Sequence, residues 1–177
     1  MAQTSALDSR QSAVRAILRS WGTCAELHAA QYVWVLSMFG LLAALEANRV
    51  GLFLVPPFGA TLTLLLMLPD APVAQPWAVV AGSVAGAGVG TLLSFAAHGP
   101  LMAIAAAVLA FAIINLVHAY HPPGVALAMY PLLLHTSPWF PLAVVLPFTV
   151  AATGSAALLS RWAARWPAYP RPLHPAR

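Results

Sequence analysis

The sequence predicts an all-α, polytopic helical membrane bundle, and three observations carry that prediction. Of its 177 residues, 61% are hydrophobic and only 7% charged, where a soluble domain carries roughly a quarter charged residues. Continuous apolar runs occupy 29–47, 77–97, 101–119 and 139–159, each near the ~20 residues that cross a hydrocarbon core of about 30 Å. The basic residues gather at the two ends: Arg10, Arg15 and Arg19 precede the first run, Arg161, Arg165, Arg171 and Arg177 follow the last, and Arg49 stands between. A β-barrel would instead show short alternating strands.

The elements follow in chain order. Residues 1–28 form a tail in which Leu7, Val14, Ile17, Leu18 and Trp21 share one helical face over 5–21, the pattern of a helix lying in the headgroup region. They lack a separate apolar core and cleavage site, so no cleaved leader is expected. The membrane domain is expected over 29–160, and an arginine- and proline-rich tail over 161–177. Positive residues beside spans are retained in the cytoplasm. Both termini are therefore expected there, in an inner or plasma membrane, with an even number of crossings. No clustered basic surface suits nucleic acid, so the expected surroundings are lipid.

Inside the membrane domain the chain reads as two repeats, about 25–97 and 98–161. "VPPFGATLTLLLMLPDAPVAQPWAVV" (55–80) parallels "HPPGVALAMYPLLLHTSPWFPLAVV" (121–145). Each copy places Pro-Pro, a glycine, an apolar stretch and a further proline before a long span. Proline suits the first helical turn, where its missing N–H goes unneeded. Pro56-Pro57 and Pro122-Pro123 therefore predict helix starts, and the helices they open end near Leu68 and Leu134. At 1.5 Å per residue each is roughly 20 Å long, short for a crossing.

Short or broken helices at matching positions of two halves point to a transporter site. A helix N-terminus carries unpaired N–H groups and partial positive charge, which suits an anion. The predicted substrate-binding residues are Gly59, Ala60, Gly124 and Val125 through backbone N–H groups, with Thr61 and His121 contributing side chains. Asn115 and His118 share a helix face and are expected to line the approach. The site is expected near the midplane, and its ligand to be a small inorganic anion.

Gly82, Gly86 and Gly90 recur every four residues, a spacing that lets membrane helices approach closely, within the chain or with a second copy. Glu46 and Arg49 are spaced for an interfacial ion pair, and "PDAPVAQP" (69–76) reads as a rigid turn. His118 and His121, with His135 or Asp70, are the residues for an alternative metal reading, short of a defined ligand set. No nucleophile motif, phosphate loop or dinucleotide fingerprint is present. Neither enzymatic activity nor a cofactor or resident metal is expected.

Three stretches, "PPFGATLTLLL" (56–66), "APVAQPWAVVAGS" (71–83) and "HPPGVALAM" (121–129), resemble the HPP family of integral membrane proteins. The tripeptide that names the family is His121-Pro122-Pro123. The resemblance implies a compact bundle of four to six transmembrane helices. It also implies transport of nitrite, the activity associated with chloroplast and cyanobacterial members. Trp77 stands where the family tends to have arginine, and Ala81-Gly82-Ser83 where it has Gly-Gly-His. The alternatives to anion transport are a membrane scaffold using the glycine stripe, and a histidine-dependent metal site or membrane enzyme.

Overall fold

The computed structural model describes residues 27–45 and 51–171. The amphipathic stretch 5–21, the three N-terminal arginines, the Glu46–Arg49 pair and Arg177 lie outside the described residues.

Helix α1 (Ala29–Leu45) opens where Gln31 Oε1 accepts the His28 backbone N–H at 2.7 Å, half of a capping box. Helix α2 spans Gly51–Met67. A proline-bounded turn with a short 3-10 segment, Pro72–Ala74, leads to α3 (Pro76–Ser94). Helix α4 (Pro100–Leu116) follows Gly99, whose φ of +114° is open to glycine and strained for other residues. Both α3 and α4 start on a proline at their first position, where no N–H is needed.

The next pass is broken. Helix α5 (Pro122–Leu127) and helix α6 (Tyr130–Leu134) are separate pieces. Pro131 deprives the Leu127 carbonyl of its i+4 donor, which accounts for the break between them. Residues Pro141–Val145 form a π turn closed by the Leu146 N–H on the Pro141 carbonyl, and α7 (Leu146–Trp162) continues from it. Pro76–Ser94 and Pro141–Trp162 are long and apolar enough to cross a membrane, and four shorter apolar helices accompany them.

The passes alternate in direction. Trp34 near the start of α1 donates its indole N–H to Ser155 Oγ late in α7, at 2.8 Å. The end of α4 comes back beside Gly82, and α5 then leaves along α3 in parallel, with Gly86 facing Gly124 and Gly90 facing Ala128. The described chain thus begins and finishes at one end of the bundle. Beyond α7, residues 163–171 fold back against that same end: Trp166 packs edge-on against Trp34 at 5.5 Å, and Tyr169 is buried.

Two apolar clusters fill the interior. Trp34, Leu42, Phe58, Leu62, Val79 and Phe148 join α1, α2, α3 and α7, with Phe58 and Phe148 rings 4.2 Å apart. On the other side Ala103, Ala106, Ala110 and Ile114 of α4 press against Val89, Ala128 and Leu132. The opposite face of α4 exposes Leu101, Ile104, Val108 and Leu116. A continuous apolar face of this kind suits hydrocarbon rather than water, as a helical membrane protein requires.

One expectation is corrected, and of two alternatives for the glycine stripe the structure shows one. Pro56 and Pro57 lie inside α2, which starts at Gly51, so only the second Pro-Pro pair opens a helix. In lipid, neighbouring groups tolerate such interior prolines more readily than water does. The glycine stripe is also spent within the chain. A side-chain carbon at Gly82, Gly86 or Gly90 would collide with backbone of Ala119, Gly124 or Ala128, so that face is not free for a second copy.

Candidate functional site

The site starts with one histidine. His121 precedes two prolines and is extended (φ −132°, ψ +107°), as a residue before proline prefers. Its ring is fully buried. The close approach that buries it depends on Gly82, where an added carbon would meet the Ala119 carbonyl and stand 3.0 Å from His121 Cβ. Nδ1 lies 2.8 Å from the Val73 carbonyl, and Nε2 lies 2.9 Å from Thr61 Oγ1. One ring therefore ties together α2, the loop before α3 and the start of α5.

The chemistry of this triad has a direction. A carbonyl only accepts, so Nδ1 carries a proton and donates it to Val73. In the neutral ring Nε2 then holds a lone pair and accepts the Thr61 hydroxyl. The Pro57 carbonyl is an alternative acceptor for that hydroxyl, at 3.1 Å. A second ring proton would reverse the Nε2 bond: the ring would donate to Thr61 Oγ1, and the Thr61 hydroxyl would turn to Pro57. Both protonation states keep every ring nitrogen paired.

Among the described residues no charged side chain is buried with this site. The described charged residues are Asp70, Arg161, Arg165 and Arg171, all exposed. On α3, Ser83 Oγ and Thr91 Oγ1 are buried without a hydrogen-bond partner among the described residues. Eight residues apart, they lie on one row of the helix. A buried hydroxyl left unpaired costs about 1–3 kcal/mol, so this row is short of polar partners.

Of the eight predicted binding residues, the structure brings together Thr61 and His121. Gly59 and Ala60 lie in the body of α2, away from its N-terminus, and the Gly59 carbonyl accepts the Thr63 hydroxyl. Gly124 donates its N–H to the His121 carbonyl, Val125 follows within α5, and Pro122 and Pro123 have no N–H to offer. Asn115 is exposed and donates its side-chain amide to Phe111 on its own helix. His118 is exposed at φ +53°, where it terminates α4. Its N–H donates to Asn115 and that of Ala119 to Ile114, a Schellman pattern with histidine in the left-handed position.

The two Pro-Pro pairs do meet, though not tip to tip. Pro56, Pro57 and Ala60 of α2 run antiparallel to Pro122, Pro123 and Ala126 of α5 and line one apolar groove of about 600 Å³. The His121–Thr61 pair lies level with Gly82, six residues into α3, about 9 Å from its start. That is a third of the way along the helix, short of its centre. At the far end His135 stacks on His98, centroids 4.3 Å apart and planes 9° apart. Parallel rings aim their lone pairs side by side rather than at one ion. Among the described residues no three histidine, cysteine or acidic side chains gather.

Residue spacing missed the Val73 carbonyl, because a backbone acceptor leaves no mark in composition. The proline-rich loop that carries it was the available signal. The family described as HPP, transmembrane region, matches residues 13–170. No curated protein and no solved structure matches the chain.

Proposed function

From the premise that this chain belongs to the HPP transmembrane family, we propose that it carries a small inorganic anion across the membrane together with a proton. Nitrite is the first candidate substrate, as the resemblance of its motifs implies, and His121 is the proton carrier. The supporting observation is that both ring nitrogens of His121 are paired at once, Nδ1 with the Val73 carbonyl and Nε2 with the Thr61 hydroxyl, an arrangement compatible with one ring proton or two. An anion is expensive to place in hydrocarbon without a partner charge. Among the described residues the spanning core holds no arginine or lysine to supply one, whereas a doubly protonated imidazole would. Anion and proton then move as a neutral pair.

Dipolar capture by two helix tips does not enter this reading, since α2 opens at Gly51 and the start of α5 has few free donors. The hydroxyls of Ser83 and Thr91, without a partner among the described residues, support a polar route continuing along α3 toward the His98–His135 end. We place both termini in the cytoplasm of a cell with this protein in its inner membrane, from the arginine distribution and the shared end of the first and last described passes. Rocking of the proposed repeats against each other would expose His121 to alternate sides.

Purified protein in proteoliposomes, offered nitrite, nitrate, formate and chloride, tests the reading. Nitrite uptake above protein-free vesicles, lost in His121→Ala and in Thr61→Val, is the expected result. Absence of movement of any of the four anions overturns it.

A further inference from the structure

The loop that supplies the Val73 carbonyl is held from outside the bundle. Tyr169 donates its hydroxyl to the carbonyl of Ala74, the residue after Val73, at 2.9 Å. Burial pushes its phenol above the ordinary tyrosine range, so it remains a donor. Arg171 pairs with Asp70 of the same loop at 2.7 Å. The strap is itself anchored, because Ser160 of α7 donates to the Tyr169 carbonyl at 2.6 Å. Inside the loop, Gln75 donates to the Pro69 carbonyl at 2.8 Å, fixing its curl around the 3-10 turn.

These contacts form one mechanical chain from the C-terminal segment to the buried ring. We propose that the segment 163–171 is a strap that sets the His121 tautomer, with Tyr169 as its positioning residue acting through Ala74 and Val73. A shift of the Val73 carbonyl away from the ring would remove the acceptor that fixes the proton on Nδ1. The ring would then be free to place its proton on Nε2 and donate to Thr61. Anything that lifted the strap, such as a partner that engages the exposed Arg171, would change the proton-carrying group about 9 Å inside the bundle. The inference concerns how His121 is held, and it stands apart from whether an anion passes.

The test is nitrogen-15 NMR of histidine-labelled full-length protein in lipid nanodiscs. The wild type is expected to give one His121 signal pattern, with Nδ1 protonated and slowly exchanging. Tyr169→Phe keeps the ring and removes the donor. It is expected to mix the Nε2-protonated form into the His121 signals and to speed Nδ1–H exchange about tenfold, the scale of one hydrogen bond. Arg171→Ala is expected to act in the same direction and more weakly, with Arg171→Lys restoring the wild-type pattern. It serves as the second variant if Tyr169→Phe fails to fold. His98 and His135, at the opposite end, are expected to keep their signals. Unchanged His121 signals in both variants, or equal changes at all three histidines, would overturn the strap. Nitrite flux is not the readout, so failure of the transport proposal is distinguishable from failure of this one.

Discussion

At the residue scale, Thr61 and His121 stood out as polar side chains in an apolar background, and the structure joins them. Asn115 and His118 carried the same signal with a different outcome. Spacing of three residues places two side chains on one face but does not say which way that face points. Here the face is exposed: Asn115 folds onto its own backbone, and His118 ends the helix at positive φ. The consequence for Thr61 is testable. Thr61→Val keeps the shape and strips the hydroxyl, leaving Nε2 buried without a partner. A loss of about 1–3 kcal/mol is expected by thermal unfolding in detergent. Thr61→Ser is expected to recover most of it, because the hydroxyl is what the ring needs.

At the element scale, the glycine stripe was legible and its partner was not. Spacing by four announces a close helix contact, yet the contact is with α5 of the same chain, which a linear reading of α3 does not reveal. Gly86 sits against the Gly124 backbone, while Gly88 has no described neighbour beyond its own helix backbone within 4 Å of where its side chain would lie. Gly86→Ala is therefore expected to destabilise strongly, by several kcal/mol, as backbone cannot yield cheaply. Gly88→Ala is expected to be neutral or to stabilise by up to about 1 kcal/mol through helix propensity. Thermal unfolding of both in one detergent checks the contrast, and equal effects would contradict the packing. Pro-Pro pairs read as helix starts held for Pro122-Pro123 and not for Pro56-Pro57, because a membrane helix tolerates interior proline where neighbours shelter the freed carbonyls. The Asp70–Arg171 pair, about half exposed on both sides, is expected to contribute at most ~1 kcal/mol to stability. Its proposed importance lies in what the loop holds.

For the whole molecule, low charge content together with continuous apolar runs sufficed to predict an all-helical membrane protein. The arginine distribution predicts an even number of crossings without choosing between four and six. The directions of the helices come from long-range contacts such as Trp34 with Ser155. Alternating passes put the α6–α7 link and the C-terminal strap at opposite ends. In a Cys24→Ala background, Ser137→Cys is expected to react with an impermeant maleimide on intact cells, and Ala164→Cys only after lysis. Reaction of both from outside would contradict the alternation, and the reverse order would invert the proposed orientation.

The central claim is that His121 carries a proton with each anion. The most direct measurement is acidification inside proteoliposomes, read with a trapped pH dye, when an inward nitrite gradient is imposed. The account predicts acidification faster than in protein-free vesicles, keeping pace with nitrite uptake and falling to the vesicle background in His121→Ala. Protein-dependent nitrite uptake without acidification, or acidification that survives His121→Ala, would contradict it.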